Sequence, residues 1–205
     1  MHVWRERLGR WFDGPARRCP LSPNAITMIA LMLNLVAAGA LAAGGRHPSF
    51  FLAAIAFLVF GSLADAFDGI VARVQGKTSR FGDFLDHVAD RISDTAVAAA
   101  WMIGSGVGHL LTVIGTAMVM LNGYVGTQIE ATWRERNYDS LGRGEFVLAL
   151  IVYPTVSYTL ATQGWLGSRF GPLTIPEWMT LLLIAFAVLG LIQRFMTAAR
   201  LGRSG

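Results

Sequence analysis

The sequence predicts an all-α integral membrane protein, with six transmembrane helices that follow an N-terminal amphipathic helix in the membrane interface. Of its 205 residues, 54% are hydrophobic and 15% are charged, and the mean hydropathy is +0.50. A soluble domain does not have this composition. Several apolar stretches reach the ~20 residues that cross ~30 Å of hydrocarbon as a helix. A disordered, fibrous or secreted chain is therefore excluded.

The first element is the predicted amphipathic juxtamembrane helix, assigned to residues 1–20. Its aromatic and leucine residues alternate with arginines, as in helices that lie in a membrane interface. The apolar members are Trp4, Leu8, Trp11 and Phe12, and the basic members are Arg5, Arg7 and Arg10. Residues 21–205 are assigned to one six-helix membrane domain.

Six apolar segments follow, and each is predicted to be a helix. Their bounds are 25–44, 49–74, 81–103, 107–133, 145–163 and 175–196. Each is far longer than the ~10 residues of a barrel strand, and none alternates between apolar and polar residues. Breaks rich in glycine, proline or polar residues separate them.

Lysine and arginine residues fall unevenly on the two sides of the predicted membrane domain. The side of the N-terminus also holds Arg73, Lys77, Arg80, Arg134, Arg136, Arg143, Arg194, Arg200 and Arg203. The other side holds Arg46 and Arg169. This asymmetry predicts a multi-pass protein of the cell membrane, with both termini and the active site facing the cytoplasm. The net charge of +4 is attributed to this topology, and no nucleic-acid partner is predicted.

Acidic residues are concentrated in the second and third apolar segments. Six of the thirteen lie within thirty positions: Asp65, Asp68, Asp83, Asp86, Asp90 and Asp94. Carboxylates inside apolar helices are costly to desolvate, so they indicate a functional site. The single cysteine, Cys19, excludes a metal cluster built from cysteine ligands.

The spacing of these acids predicts a metal centre. Asp65 and Asp68 share one helix face, as do Asp86 and Asp90. If the two segments form an antiparallel hairpin that turns near residues 77–78, the four carboxylates meet in one layer ~12 to 18 Å from the turn. Ligands that are all oxygen select hard divalent cations such as Mg²⁺, Mn²⁺ or Ca²⁺, so we expect one or two metal ions.

Features that suit phosphate binding lie in the same stretch. Gly69 follows Asp68, Gly82 opens the third segment, and Arg73 lies one turn beyond Gly69. Glycine permits close approach of the backbone, and arginine matches phosphate oxygens in bidentate geometry. Together with the metal layer, these residues predict a site for a diphosphate.

The string Asp65-x2-Asp68-Gly69-x2-Ala72-Arg73-x8-Gly82-x3-Asp86-x3-Asp90 resembles the signature of the CDP-alcohol phosphotransferase family at every fixed position. The six-helix layout and the Leu21-Ser22-Pro23-Asn24 entry to the first segment also resemble that family. The resemblance implies a membrane-bound homodimer that transfers an alcohol-phosphate group from a CDP-alcohol to a second alcohol and releases CMP, with Mg²⁺ as cofactor.

By this resemblance, Asp65, Asp68, Asp86 and Asp90 are metal ligands, and Asp90 is also the catalytic base. The resemblance further implies contacts to the CDP portion from Pro23, Asn24, Ala25, Ile26, Gly69, Arg73, Ser79 and Gly82.

The acceptor alcohol is less well determined. The runs Asp90-Arg91-Ile92-Ser93-Asp94 and Leu141-Gly142-Arg143 resemble the branch of the family that uses inositol phosphate, with CDP-diacylglycerol or an archaeal-type CDP-lipid as donor. Candidate cations for the phosphate of such an acceptor are Arg134, Arg136, Arg143 and Arg194. Where that branch has a second basic residue, this chain has Glu145-Phe146, so glycerol phosphate, serine or another small alcohol stays open.

Two other classes of protein are compatible with acids in membrane helices. A cation transporter would explain the carboxylates, but not the Gly69 and Arg73 positions. A structural or regulatory subunit with a degenerate site is disfavoured, because no fixed motif residue is missing. Metal-dependent binding of CDP or CMP distinguishes the enzyme from the transporter.

Overall fold

Long helices make up most of the chain. The computed structural model describes residues 12–133 and 143–204, and residues 12–18 are helical. The long helices are α1 (Pro23–Ala43), α2 (Ser49–Val74), α3 (Arg80–Gly104), α4 (His109–Trp133), α5 (Arg143–Thr162) and α6 (Ile175–Ser204). The all-helical prediction is confirmed, and most predicted bounds lie within two residues of the observed ones. Helix α6 continues to Ser204, beyond the predicted end at 196.

Serine caps fix the start of the two helices that open toward the candidate site. Ser22 precedes α1, and its hydroxyl accepts a hydrogen bond from the amide of Ala25 at 3.2 Å. Ser79 precedes α3 and accepts from the amide of Gly82 at 3.0 Å. Such caps satisfy amides that have no partner within the helix.

The segment between α5 and α6 contains a short hairpin that the sequence analysis left as a break. Strands β1 (Arg169–Phe170) and β2 (Leu173–Thr174) pair antiparallel. Gly171 takes a φ of 71° at the first loop position, where tight hairpin turns favour glycine. The two-residue strands are too short to produce a detectable alternation in the sequence.

Helix α1 packs against both α2 and α3. Their shared core includes Leu41, Phe51 and Met102, which are fully buried. A β-carbon at Gly104 would overlap the backbone carbonyl of Leu41, so glycine is what allows the end of α3 to approach α1 closely. Helix α4 packs against both α3 and α6, and α5 packs against α2.

Within residues 12–133 and 143–204, four helices are long and apolar enough to cross a membrane, judged by length and composition. They are α1, α2, α4 and residues Ile175–Arg203 of α6. Charged residues interrupt the apolar sequence of α3, which is the helix that carries much of the predicted metal centre. The protein is therefore a membrane protein, and its described residues contain four candidate spans.

Candidate active site and metal centre

The α2–α3 hairpin brings acidic residues from two helices together. Residues 75–79 link the helices, and Gly76 has a positive φ of 63° in this turn. Asp65 and Asp68 on α2 and Asp86 on α3 each offer one carboxylate oxygen, and these atoms lie within 4.8 Å of one another. The turn lies where the sequence analysis assumed it, and it is followed by a helix that brings Asp86 to Asp65 and Asp68, which are three of the four carboxylates expected in one layer.

Asp68 is the most deeply placed of the three carboxylates. It is 7% exposed, and its Oδ2 accepts a hydrogen bond of 2.5 Å from the hydroxyl of Thr27 on α1. Thr27 is itself only 5% exposed. A buried carboxylate needs such a donor, because it has lost hydrogen bonds to water. Helix α1 therefore contributes directly to the acidic centre.

Asp90 lies one helical turn after Asp86 and outside the three-carboxylate group. It is close enough to Asp68 for the two carboxylates to interact electrostatically. Its Oδ2 lies 3.7 Å from Nη2 of the neighbouring Arg91. The role of Asp90 as a fourth ligand stays a prediction.

The donor set of Asp65, Asp68 and Asp86 fits a hard divalent cation. All three offer carboxylate oxygen, which Mg²⁺ and Mn²⁺ favour over softer ligands. Three carboxylates at this separation repel one another unless a positive charge lies between or beside them. The residues present therefore match the metal centre that was expected.

A second group of predicted residues gathers where α1 and α3 begin. A β-carbon at Gly82 would lie 3.1 Å from Oδ1 of Asn24 and 3.2 Å from Oγ of Ser79. Two helix N-termini thus lie side by side, and such termini favour anions because their amides and dipoles point outward. The absence of a side chain at Gly82 keeps the space between Asn24 and Ser79 open.

Gly69 and Arg73 form a further contact on α2. A β-carbon at Gly69 would lie 3.4 Å from Nη1 of Arg73, so the guanidinium turns back along α2 toward Gly69. Arg73 is exposed and lies in the last turn of α2. Its fork of donors is therefore accessible to a phosphate group.

The predicted residues at the start of α1 differ in their surroundings. Pro23 opens the helix, and its carbonyl oxygen lies 3.1 Å from the Thr27 hydroxyl. Ile26 is 4% exposed and belongs to a core cluster with Ala16 and Val71. Any contact from Ile26 to a ligand would therefore come from its backbone.

The comparisons with known proteins agree with this geometry. A model of the CDP-alcohol phosphatidyltransferase family matches residues 20–199. This match covers most of the chain. The chain belongs to this family.

Two curated relatives of this CDP-alcohol phosphatidyltransferase family member are archaetidylinositol phosphate synthases. The one from Pyrococcus horikoshii is 36% identical over 102 residues, which is 48% of this chain and 52% of that relative. The chain thus spans about half the length of this relative. The one from Methanothermobacter thermautotrophicus is 25% identical over 199 residues, which is 96% of this chain and 92% of the relative.

A solved structure from the same family is also similar. It is the Mycobacterium tuberculosis phosphatidylinositol phosphate synthase in complex with manganese and citrate. The TM-score is 0.66 at 26% sequence identity, and the match covers 91% of this chain and 88% of that one.

The arginines proposed to bind the acceptor are described only in part. Arg134 and Arg136 lie outside the described residues, and the description of Arg143 is limited to its backbone at the start of α5. Arg194 of α6 donates a hydrogen bond to the backbone carbonyl of Asn122 on α4. Its guanidinium occupies the space that a β-carbon at Gly126 would fill.

Sequence reasoning missed two residues of this family member's site. Thr27 is not a position of the motif, so the motif does not point to it. A hydroxyl in an apolar helix, one turn after Pro23, could nevertheless have been considered as a hydrogen-bond donor to an acid. Arg91 was noted within a family-like run, but it was not assigned a role. Its position between Asp90 and Asp94 in sequence could have indicated ion pairing.

Proposed function

We propose that this protein transfers a phosphatidyl, or other alcohol-phosphate, group from a CDP-linked lipid to a small polar alcohol in phospholipid biosynthesis. CMP is the second product. The observation that carries the proposal is the group of Asp65, Asp68 and Asp86 oxygens within 4.8 Å of one another, next to residues that suit a diphosphate. Membership of the CDP-alcohol phosphatidyltransferase family supports the same reaction class.

Mg²⁺ is the proposed cofactor, with Mn²⁺ as a substitute and one or two ions per site. Asp65, Asp68 and Asp86 would hold it, with Asp90 as the proposed fourth ligand. When bound, the metal offsets the charge of the diphosphate and stabilises CMP as it leaves. Manganese in the similar mycobacterial enzyme supports this choice of cation.

The chain's own residues then have separate tasks toward the donor. Thr27 holds the buried Asp68 carboxylate in place through its hydrogen bond. Asn24 and Ser79 border the space left open at Gly82, and the positive ends of the α1 and α3 helix dipoles favour a phosphate group there. Arg73 supplies a bidentate cation.

Asp90 is proposed to take the proton from the acceptor hydroxyl. A carboxylate can act as a general base when it lies within hydrogen-bond reach of the reacting group. The deprotonated oxygen attacks the phosphorus that bears the alcohol, the bond from phosphorus to the CMP oxygen breaks, and CMP leaves with the bonding electron pair.

Inositol phosphate is the proposed acceptor, and CDP-diacylglycerol or an archaeal-type CDP-lipid is the proposed donor. The relatives that carry inositol phosphate in their names support this choice. Arg194 is the described candidate for binding the acceptor's phosphate, and Arg134, Arg136 and Arg143 are proposed with it. Glycerol phosphate, serine or another small alcohol is the second candidate, because Glu145-Phe146 departs from the branch pattern.

The proposed arrangement in the bilayer has six transmembrane helices, α1 to α6, within a membrane domain of residues 21–205. The amphipathic interfacial helix predicted for residues 1–20 stays a prediction, since residues 1–11 lie outside the described residues. Both termini and the active site face the cytoplasm, and two copies form a homodimer. The uneven distribution of lysine and arginine supports this orientation.

The test is a screen for CMP release by purified protein with each CDP-lipid and each acceptor, in Mg²⁺ and in excess chelator. Inositol phosphate, inositol, glycerol phosphate and serine are the acceptors, and mass spectrometry identifies the lipid product. Release that requires both a metal and one acceptor supports the proposal. Failure of CDP and CMP to bind in the presence of Mg²⁺ would instead favour a cation pathway.

A further inference from the structure

Arg91 connects the proposed base to a second carboxylate on the same helix. Its Nη2 lies 3.7 Å from Oδ2 of Asp90 and 3.4 Å from Oδ2 of Asp94. A guanidinium presents its donors in a rigid planar fork, so a single arginine can hold two carboxylates at once. Asp94 therefore helps to hold Arg91, and Arg91 in turn restrains Asp90.

Helix α4 provides the space in which this arginine lies. A β-carbon at Gly123 would overlap Nη1 of Arg91, and it would lie 2.8 Å from Cζ and 3.0 Å from Cδ of the same side chain. The guanidinium and the end of its stem thus lie against the α4 backbone. Any larger residue at position 123 would push Arg91 away from the two carboxylates.

Packing alone does not explain an arginine at this position, because its burial destabilises the folded state. Its side chain is 21% exposed, and its Nε is buried without a hydrogen-bond partner in the described part of the chain. A buried donor that is not satisfied destabilises the folded state. An apolar side chain would fill the same space without this cost, which indicates that the charge has a use.

We propose that Arg91 is a positioning residue, which fixes the Asp90 carboxylate in the orientation needed to receive the acceptor's proton. This inference rests on the proposed function, in which Asp90 is the base. Asp68 and Asp86 are also acidic and lie nearby, and Asp68 interacts electrostatically with Asp90. Like charges repel one another, and the positive charge of Arg91 beside Asp90 offsets part of that repulsion.

The first test compares Arg91→Met with Arg91→Lys in the CMP-release assay. Methionine retains an unbranched stem of similar length and loses the charge, whereas lysine retains the charge without the fork. We expect Arg91→Met to lower kcat by about ten- to a hundredfold, as is typical when an outer partner of a functional carboxylate is removed. The KM values of donor and acceptor should stay within about twofold, and Arg91→Lys should recover part of kcat.

The second test uses Gly123→Ala, which leaves Arg91 in the chain but occupies its space. It should lower kcat in the same way as Arg91→Met. The matched control is Gly39→Ala, since Gly39 lies in α1 and a β-carbon there would meet no atom within 4 Å. This control should keep the wild-type kcat.

A double-mutant cycle measures the contact without any turnover. Gly123→Ala should lower Tm in the wild type by about 2 to 4 °C and by much less in the Arg91→Ala background, because the clash is then gone. Equal shifts in both backgrounds would overturn the inference, as would a wild-type kcat in Arg91→Met or a loss confined to KM. Failure of the wild type to release CMP would refute the proposed function itself, which is a separate outcome.

Discussion

Thr27→Val tests whether α1 contributes to the metal centre. The Thr27 hydroxyl donates to Oδ2 of Asp68 at 2.5 Å, and both residues are buried. Valine has nearly the same shape as threonine but no hydroxyl. The substitution therefore removes the hydrogen bond, leaves the packing in place, and exposes the effect of that bond on Asp68.

The size of the effect follows from the nature of the bond. A hydrogen bond to a charged group contributes about 1.5 to 3 kcal/mol, which corresponds to a factor of roughly ten to a hundred in an equilibrium constant. Loss of an outer partner of a metal ligand typically costs about ten- to a hundredfold in metal affinity. We expect Thr27→Val to weaken Mn²⁺ binding by that factor.

The assay is a titration of purified protein with Mn²⁺, in which electron paramagnetic resonance measures the free ion. Thr27→Ser keeps a hydroxyl and should bind nearly as the wild type does. Thr112→Val is the matched control, because the Thr112 hydroxyl donates to the backbone carbonyls of Val107 and Gly108 and lies far from the acids in sequence. Its Mn²⁺ affinity should not change.

Two results would refute this reasoning about Thr27. The first is a wild-type Mn²⁺ affinity in Thr27→Val. The second is an equal loss in Thr112→Val, which would mean that any such substitution perturbs the protein as a whole. A Tm measurement on each variant separates the second case from unfolding.

The remaining predictions concern the proposed ligands, base and acceptor site. Asp68→Asn and Asp86→Asn should each abolish CMP release at limiting Mg²⁺, because a neutral amide replaces an anionic ligand; wild-type turnover in either would contradict the metal centre. Asp90→Asn should keep most of its CDP binding, measured by calorimetry, and lose about 10²- to 10⁴-fold in rate. If binding disappears as well, Asp90 acts chiefly as a ligand. Arg194→Ala should raise the acceptor KM by roughly ten- to a hundredfold at nearly constant donor KM, and an unchanged acceptor KM would favour an unphosphorylated acceptor.

The meeting of acids from α2 and α3 could be predicted because most of its evidence is local. Four acids at intervals of three and four residues, on two helices joined by a short turn, lie at similar distances from that turn if the helices run antiparallel. The observed oxygens of Asp65, Asp68 and Asp86 agree with that prediction. Helix rise and the short turn set how far each acid lies from the turn, and α1 packs against both helices.

The contact from Thr27 could not be predicted in the same way. It joins residues that are 41 positions apart, and it depends on how α1 is rotated against α2. Many threonines in apolar helices bond only to their own backbone, as Thr159 does to the carbonyl of Thr155. The sequence does not distinguish these two cases, because both have a hydroxyl in an apolar context.

The residues proposed for the two substrates differ in the same way: some are brought together locally, and others depend on contacts between distant helices. The residues proposed for the CDP donor lie on α1, α2 and α3, and a turn or a cap brings several of them together. The contacts of Arg91 and Arg194 instead run to Gly123 and to Asn122 on α4, so this side of the site depends on which helices are neighbours. A change on α4 or α6 can therefore alter acceptor use while the donor residues keep their geometry. It follows that the proposed reaction class is compatible with several acceptors, and that the contact of Arg194 with α4 is where a change of acceptor should be sought.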